Sequence, residues 1–195
     1  MGPLYKWTVG GPWTNGPCDT QWAFKTTDNT LFIKFQGTCS TTDWKQNFMF
    51  WKRPYKRMKG VWFAHAGFVR KWKAVEDAVL DIIATAEVRS VVVSGFSQGA
   101  ALAQLCHEAI AFHFPEKKCN CYAFGSPRVF GLIGFRHIRK RLVGIKLIER
   151  HHDLVCKVPL RLMLYRKTTR PMLVDKFCPI SFRFIKTHLG YGSYV

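Results

Sequence analysis

The chain has 195 residues, 48% hydrophobic and 15% aromatic, which excludes a disordered polypeptide and suits one domain with a sizeable core. Thirty lysines and arginines against twelve acids give a formal charge of +18, a surface that attracts anionic partners such as phospholipid head groups or nucleic acid. No apolar run reaches membrane-spanning length, and the N-terminus shows neither a signal-peptide core nor, with Lys6 in place of Ser or Thr, a myristoylation pattern. An intracellular or peripheral-membrane protein is expected.

Residues 1–20 are rich in Gly, Pro and Trp and read as an irregular segment. Gln21–Thr26 and Leu31–Gln36 follow as two strands of a hairpin turning at Thr27-Asp28-Asn29-Thr30. The second strand runs into Gly37-Thr38, a pairing that suits a loop offering a backbone N–H and a hydroxyl to one oxygen atom. In the next segment Trp44, Phe48 and Trp51 recur at i, i+4, i+7 and share one helical face. Such a stripe packs into a core or forms a lid over a site; Lys45, Lys52 and Arg53 beside it suit phosphate groups. A basic turn, Lys52–Lys59, follows, with Pro54 stopping any helix, so 41–59 is read as candidate lid plus basic turn.

Val61–Phe63 is a short strand, and Val69–Ala86 has helical spacing through Trp72, Val75, Val79, Ile82 and Ile83. Then Ser90–Val93 leads into Gly95-Phe96-Ser97-Gln98-Gly99, and a small-residue helix follows to about His113. Gly-x-Ser-x-Gly between a strand and a helix marks a nucleophile elbow. A serine at so tight a turn occupies strained backbone space, where side chains two positions before and after would collide; Gly95 and Gly99 remove those collisions. Ala100, Ala101 and Ala103 allow the helix to lie close to the sheet.

Cys121–Phe124, Leu142–Glu149, Arg161–Tyr165, Met172–Val174 and Ile180–Lys186 read as later strands. Seven irregularly spaced cysteines suit reduced thiols, and Cys119-Asn120-Cys121 with His113 matches no zinc spacing, so neither metal nor cofactor is expected. Strands alternate with helices through the middle of the chain. The class is therefore α/β, with a mainly parallel central sheet flanked by helices in a single domain, 1–195.

A serine nucleophile needs a base and a carboxylate to orient that base. Where an elbow of this kind carries a triad, the chain order is Ser, then Asp or Glu, then His. Downstream of Asp153 the chain holds one histidine, His188, and the aspartates after Ser97 are Asp153 and Asp175. Asp153 follows a strand directly and is favoured by position; Asp175 stands in a polar turn.

Phe35-Gln36-Gly37-Thr38, His65-Ala66-Gly67-Phe68, Gly95–Gly99, Phe124-Gly125-Ser126-Pro127-Arg128, Asp153-Leu154-Val155 through Val158-Pro159, and His188-Leu189-Gly190 together resemble the class 3, fungal-type, lipases of the α/β-hydrolases. The resemblance spans about residues 21 to 190. It implies hydrolysis of acylglycerol or phospholipid esters with Ser97, Asp153 and His188 as triad, and an oxyanion hole from Thr38 and the backbone N–H of Gln98. Phe96 replaces the family's usual His, Gln98 its Leu, and Gln36 its oxyanion-loop Arg. Phe-Ser-Gln-Gly is similar to the carboxylesterase and acyl-thioesterase branch, which gives a soluble esterase as the alternative. A non-catalytic basic protein on a hydrolase scaffold, bound to membrane or nucleic acid, is a third reading, although no nucleic-acid motif is present.

Overall fold

The computed structural model describes residues 14–16, 20–37, 52–57 and 60–174. Its chain order begins with strands β1 (Thr14–Gly16), β2 (Thr20–Thr27), β3 (Thr30–Phe35), β4 (Lys52–Arg57) and β5 (Gly60–His65). Helices α1 (Ala66–Lys73) and α2 (Glu76–Thr85), strand β6 (Ser90–Phe96), helix α3 (Gln98–His113) and strand β7 (Lys118–Phe124) follow. The last elements are β8 (Phe130–Gly131), α4 (Phe135–Ile138), β9 (Ile145–Glu149), β10 (Tyr165–Arg166) and β11 (Met172–Leu173).

The hairpin of β2 and β3 pairs antiparallel, with Asp28 at φ 51° in the turn, where a short polar side chain tolerates left-handed backbone. From β3 onward the main sheet is parallel. Its order is β1-β2-β3-β6-β7-β9-β11, and β3/β6, β6/β7, β7/β9 and β9/β11 all run the same way. Parallel neighbours require crossovers, and α3 supplies the one between β6 and β7. The expected α/β class with a mainly parallel sheet is the observed one.

Burial explains these choices. Leu31, Ile33 and Phe35 of β3, and Val91 and Val93 of β6, alternate into the interior, each worth about 1.5–3 kcal/mol of transfer free energy. Residues 98–110 of α3 are buried without interruption, so this helix is central rather than amphipathic. It lies across β6 and β7 and is flanked by α1.

Several local expectations are corrected. The supposedly irregular 1–20 contains β1, which pairs with the start of β2 through Thr14↔Trp22 and Gly16↔Thr20. The supposed basic turn at 52–59 contains a strand, β4, on the edge of a second, antiparallel sheet ordered β10-β8-β5-β4. An edge strand tolerates Pro54, because one of its sides needs no N–H donor. Tyr55 and Trp62 pack across this pair with ring centroids 4.6 Å apart, and Trp62 meets Phe130 at 5.4 Å.

The helix expected over 69–86 is two helices. The chain bends at Ala74-Val75, which keeps Trp72, Val75 and Val79 all in the core. Glu76, opening α2, accepts a hydrogen bond from the Tyr55 hydroxyl (2.8 Å), which in turn accepts one from Trp72 Nε1 (2.9 Å). Leu142–Glu149 becomes strand only from Ile145, after a 3-10 turn at Arg139–Leu142. Arg161–Tyr165 is mostly not strand either: Arg161–Met163 form a 3-10 turn, and its side chains find no sheet face to bury. The expected strand at 180–186 lies outside the described residues, as does Asp175. Among the described residues no helix is long and apolar enough to cross a membrane.

Candidate active site

Ser97 stands between the last residue of β6 and the first of α3, at φ 55° and ψ −119°. For a residue with a Cβ that conformation is costly, of order 1–3 kcal/mol, and persists only where its surroundings enforce it. The surroundings are glycine and backbone. A Cβ on Gly95 would lie 2.3 Å from the Gly99 carbonyl, and one on Gly99 would lie 2.4 Å from the Phe35 carbonyl oxygen. Both glycines of the motif are therefore required by close backbone approach.

The same contacts bring the end of β3 against the first turn of α3. Gly37 is stacked on Phe96, since a Cβ there would come within 3.1 Å of the ring. The candidate oxyanion loop thus departs from beside the elbow. Thr38 itself lies outside the described residues, as do Trp44, Phe48, Trp51 and His188. Gln98 is buried in the first turn of α3, at the positive end of the helix dipole.

Three strand ends are laced together here. The Ser97 N–H donates to the Phe124 carbonyl and the Gly125 N–H to the Ile148 carbonyl, both at 2.9 Å. Phe96, Phe124 and Ile148 are register partners, so the loops after β6, β7 and β9 leave from one edge of the sheet. In open α/β sheets that carboxyl edge is where functional loops gather.

Asp153 lies four residues beyond β9 and is 1% exposed. Its Oδ1 accepts from the Val155 N–H (2.9 Å) and its Oδ2 from the Cys156 thiol (3.3 Å). Ser97 and Asp153 both stand on loops of the carboxyl edge; His151 and His152, edge-to-face at 4.8 Å, occupy the turn leading to Asp153.

The side chains of Gly125-Ser126-Pro127-Arg128 have roles that the sequence does not disclose. Arg128 holds the Asp153 loop: its N–H donates to the Val158 carbonyl (2.8 Å), and its guanidinium donates to the carbonyls of Pro159 (2.6 Å) and Lys157. Ser126 accepts from Gln104 Nε2 (2.7 Å), and Thr168 donates to Gln104 Oε1 (2.9 Å), so α3 is tied to two loops. Beneath Asp153, the buried Glu149 carboxylate pairs with Lys167. Burial pushes the Glu149 carboxyl above its usual value, while Lys167 pulls it down. An arginine next to a strand-end Ser-Pro was the sequence signal for the clamp; its targets are some thirty residues away and invisible there.

His107 is buried on α3, with Nε2 2.9 Å from the Val143 carbonyl oxygen, and burial depresses its pKa to about 4. Burial also pushes the Cys119 and Cys121 thiols well above their ordinary value, which disfavours thiolate ligands. No group of three His, Cys, Asp or Glu side chains among the described residues is arranged to hold a metal.

A parallel sheet with a glycine-clamped serine at a strand-to-helix elbow defines the α/β-hydrolase fold. The family profile described as Lipase (class 3) matches residues 32–163, more than half of the chain, which belongs to that family. Solved structures agree on the fold. A Rhizomucor miehei lipase propeptide complex (a deletion mutant) superposes with a TM-score of 0.72 at 22% identity, over 84% of this chain and 54% of that one. The lipase of Rhizopus microsporus var. chinensis gives 0.69 at 23%, over 82% and 58%. A triacylglycerol lipase described as having a serine protease triad at its catalytic centre gives 0.69 at 22%, over 79% and 62%. The chain thus spans between half and two thirds of the length of these lipases. No curated protein matches it.

Proposed function

We propose that the chain is a serine ester hydrolase acting on acylglycerol or phospholipid esters. The observation that carries this is the backbone of Ser97, held at φ 55° by Gly95 and Gly99 at the mouth of α3. Strain of this kind, retained at a serine on the carboxyl edge, is what presents a hydroxyl for attack.

In the proposed route Ser97 Oγ attacks the ester carbonyl while its proton passes to His188. The Gln98 N–H and Thr38 stabilise the oxyanion, and the positive end of α3 adds to the field there. The tetrahedral intermediate collapses with the proton returned to the leaving alcohol. Water then repeats the sequence on the acyl-enzyme and releases the carboxylic acid. Asp153 fixes the imidazole tautomer, and Cys156 and Val155 fix Asp153. In this reading Arg128 is a positioning residue, since it sets the loop that bears the acid. Trp44, Phe48 and Trp51 are proposed to form a short lid whose apolar face turns toward acyl chains.

The test is hydrolysis of p-nitrophenyl esters of graded chain length, with and without dispersed lipid. The account expects long-chain esters at an interface to be preferred. Preference for short soluble esters, unchanged by an interface, would replace it with the soluble esterase or thioesterase reading. Absence of hydrolysis throughout would favour a binding protein on the hydrolase scaffold.

A further inference from the structure

A cavity of 560 Å³ opens among residues brought together from two parts of the chain, 128–132 and 161–170. Arg128, Arg161, Arg166, Lys167 and Arg170 line it, and no acidic side chain is among its described lining. Three of these cations are fixed in place. Arg128 is held by the loop carbonyls, Lys167 by Glu149, and the Arg166 guanidinium sits 4.4 Å over the Phe135 ring. Burial lowers the Arg128 pKa, Glu149 raises it and Arg161 lowers it, so the charge of Arg161 is felt at Arg128. Five cationic side chains around one opening concentrate positive potential that suits a multiply charged anion.

A second observation points to the source of that anion. The turn at the cavity rim, Leu160 to Leu164, presents apolar side chains to solvent, with Leu160 53% and Leu162 90% exposed. The Leu132 N–H donates to the Leu164 carbonyl (2.8 Å), which brings Leu132 and the 57% exposed Ile133 alongside. This turn is not slack. Leu164 sits at φ 58°, Met163 and Leu164 N–H groups bond back to Leu160 and Arg161, and Lys52 Nζ donates to the Met163 carbonyl (2.5 Å). A strained, tied-down turn that exposes leucines costs stability and suits a surface that meets an apolar phase.

We propose that this turn and the arginine-lined cavity form a docking surface for anionic phospholipid, the leucines entering the acyl boundary while the cavity takes a lipid phosphate. Guanidinium forks match phosphate oxygens in pairs, and the cavity is sized for one head group rather than a nucleic-acid duplex. Ser97 is not among the residues that line the cavity. Lipid binding is therefore measured on Ser97→Ala protein, whose result does not depend on whether the chain hydrolyses esters.

The experiment compares sedimentation with phosphatidylcholine vesicles, with and without phosphatidic acid, against calorimetric binding of inorganic pyrophosphate. Replacing Arg161, Arg166 and Arg170 by Gln should weaken partitioning onto phosphatidic acid vesicles about a hundredfold, at about a factor of five per cation. Replacing Lys25, Lys118 and Lys140 by Gln removes the same charge elsewhere and should cost threefold at most. Leu162→Asn should weaken vesicle binding about tenfold and leave pyrophosphate binding unchanged. If the triple arginine variant loses its fold by circular dichroism, Arg161→Gln/Arg170→Gln keeps the Phe135 stack and carries the same test. Equal losses in the arginine and lysine variants would make the effect diffuse charge and overturn the proposal. Pyrophosphate binding with vesicle binding indifferent to Leu162→Asn would make the cavity a soluble-anion site, and tighter binding to a DNA duplex than to vesicles would make it a nucleic-acid site. Each result overturns the lipid surface.

Discussion

The elbow at Ser97 and the turn at Leu162 both hold a non-glycine residue in left-handed backbone, at φ 55° and, for Leu164, φ 58°. At the elbow the neighbours are glycine and main chain packed to contact distance, and the serine is buried. At the turn the neighbours are leucines in solvent and arginines around a cavity. Strain at the first site is enforced by close backbone approach that only glycine permits at positions 95 and 99. At the second it is held by a few hydrogen bonds that many side chains would leave intact. Substitutions should therefore be unforgiving at the elbow glycines and nearly silent for stability at the turn.

The largest effect that would break this contrast is catalytic. Ser97→Ala should lower ester hydrolysis by about a thousandfold or more, some 4 kcal/mol of transition-state stabilisation, with an unchanged circular dichroism spectrum. His188→Ala should be comparably severe, whereas His151→Ala and His152→Ala should each stay within about tenfold. A severe His152→Ala and a mild His188→Ala would move the base to the turn before Asp153.

Next in size is Gly99→Ala. Its new methyl meets the Phe35 and Gln36 carbonyls at 2.4 and 2.5 Å, so denaturant unfolding should show a loss of roughly 3 kcal/mol. Near-wild-type stability would mean that β3 is not clamped against the elbow.

A similar magnitude is spread over pH at His107. An unfolded histidine titrates near 6.5, and burial holds this one at about 4. Below pH 6.5 the unfolded chain takes up a proton that the folded chain refuses, so stability is full above 6.5 and falls until about pH 4. The cumulative loss is roughly 3 kcal/mol. His107→Gln should flatten that part of the melting-temperature profile, and an unchanged slope would remove His107 as its source. Smallest is Leu162→Asn, expected to shift unfolding by less than about 0.5 kcal/mol because Leu162 packs on almost nothing.

The contrast also explains what could be read from the residues alone. Gly-x-Ser-x-Gly was legible because two glycines and a serine at fixed spacing answer a steric problem entirely within five residues. The hairpin and the buried strand β6 were legible for the same reason: alternation and turn chemistry are local. Pro54 misled because a proline's meaning depends on whether its strand is an edge, which only the sheet order decides. Arg161–Met163 are apolar-rich like a strand yet bury no side chain, while Tyr165 beyond them does, and burial is a tertiary fact. The clamp from Arg128 to Lys157 and Pro159, and the cavity joining 128 to 170, unite positions with no shared sequence signal. Single hydrogen bonds between distant loops leave no periodicity to detect.

Whether Ser97 is the nucleophile is tested most directly by covalent trapping. The protein is incubated with a long-chain alkyl phosphonate ester that reacts with activated serines, and the adduct is located by peptide mass spectrometry. The account predicts one stoichiometric adduct on Ser97, formed slowly or not at all in His188→Ala and absent from Ser97→Ala. A folded wild-type protein that remains unlabelled, or carries its label on another residue, would contradict it.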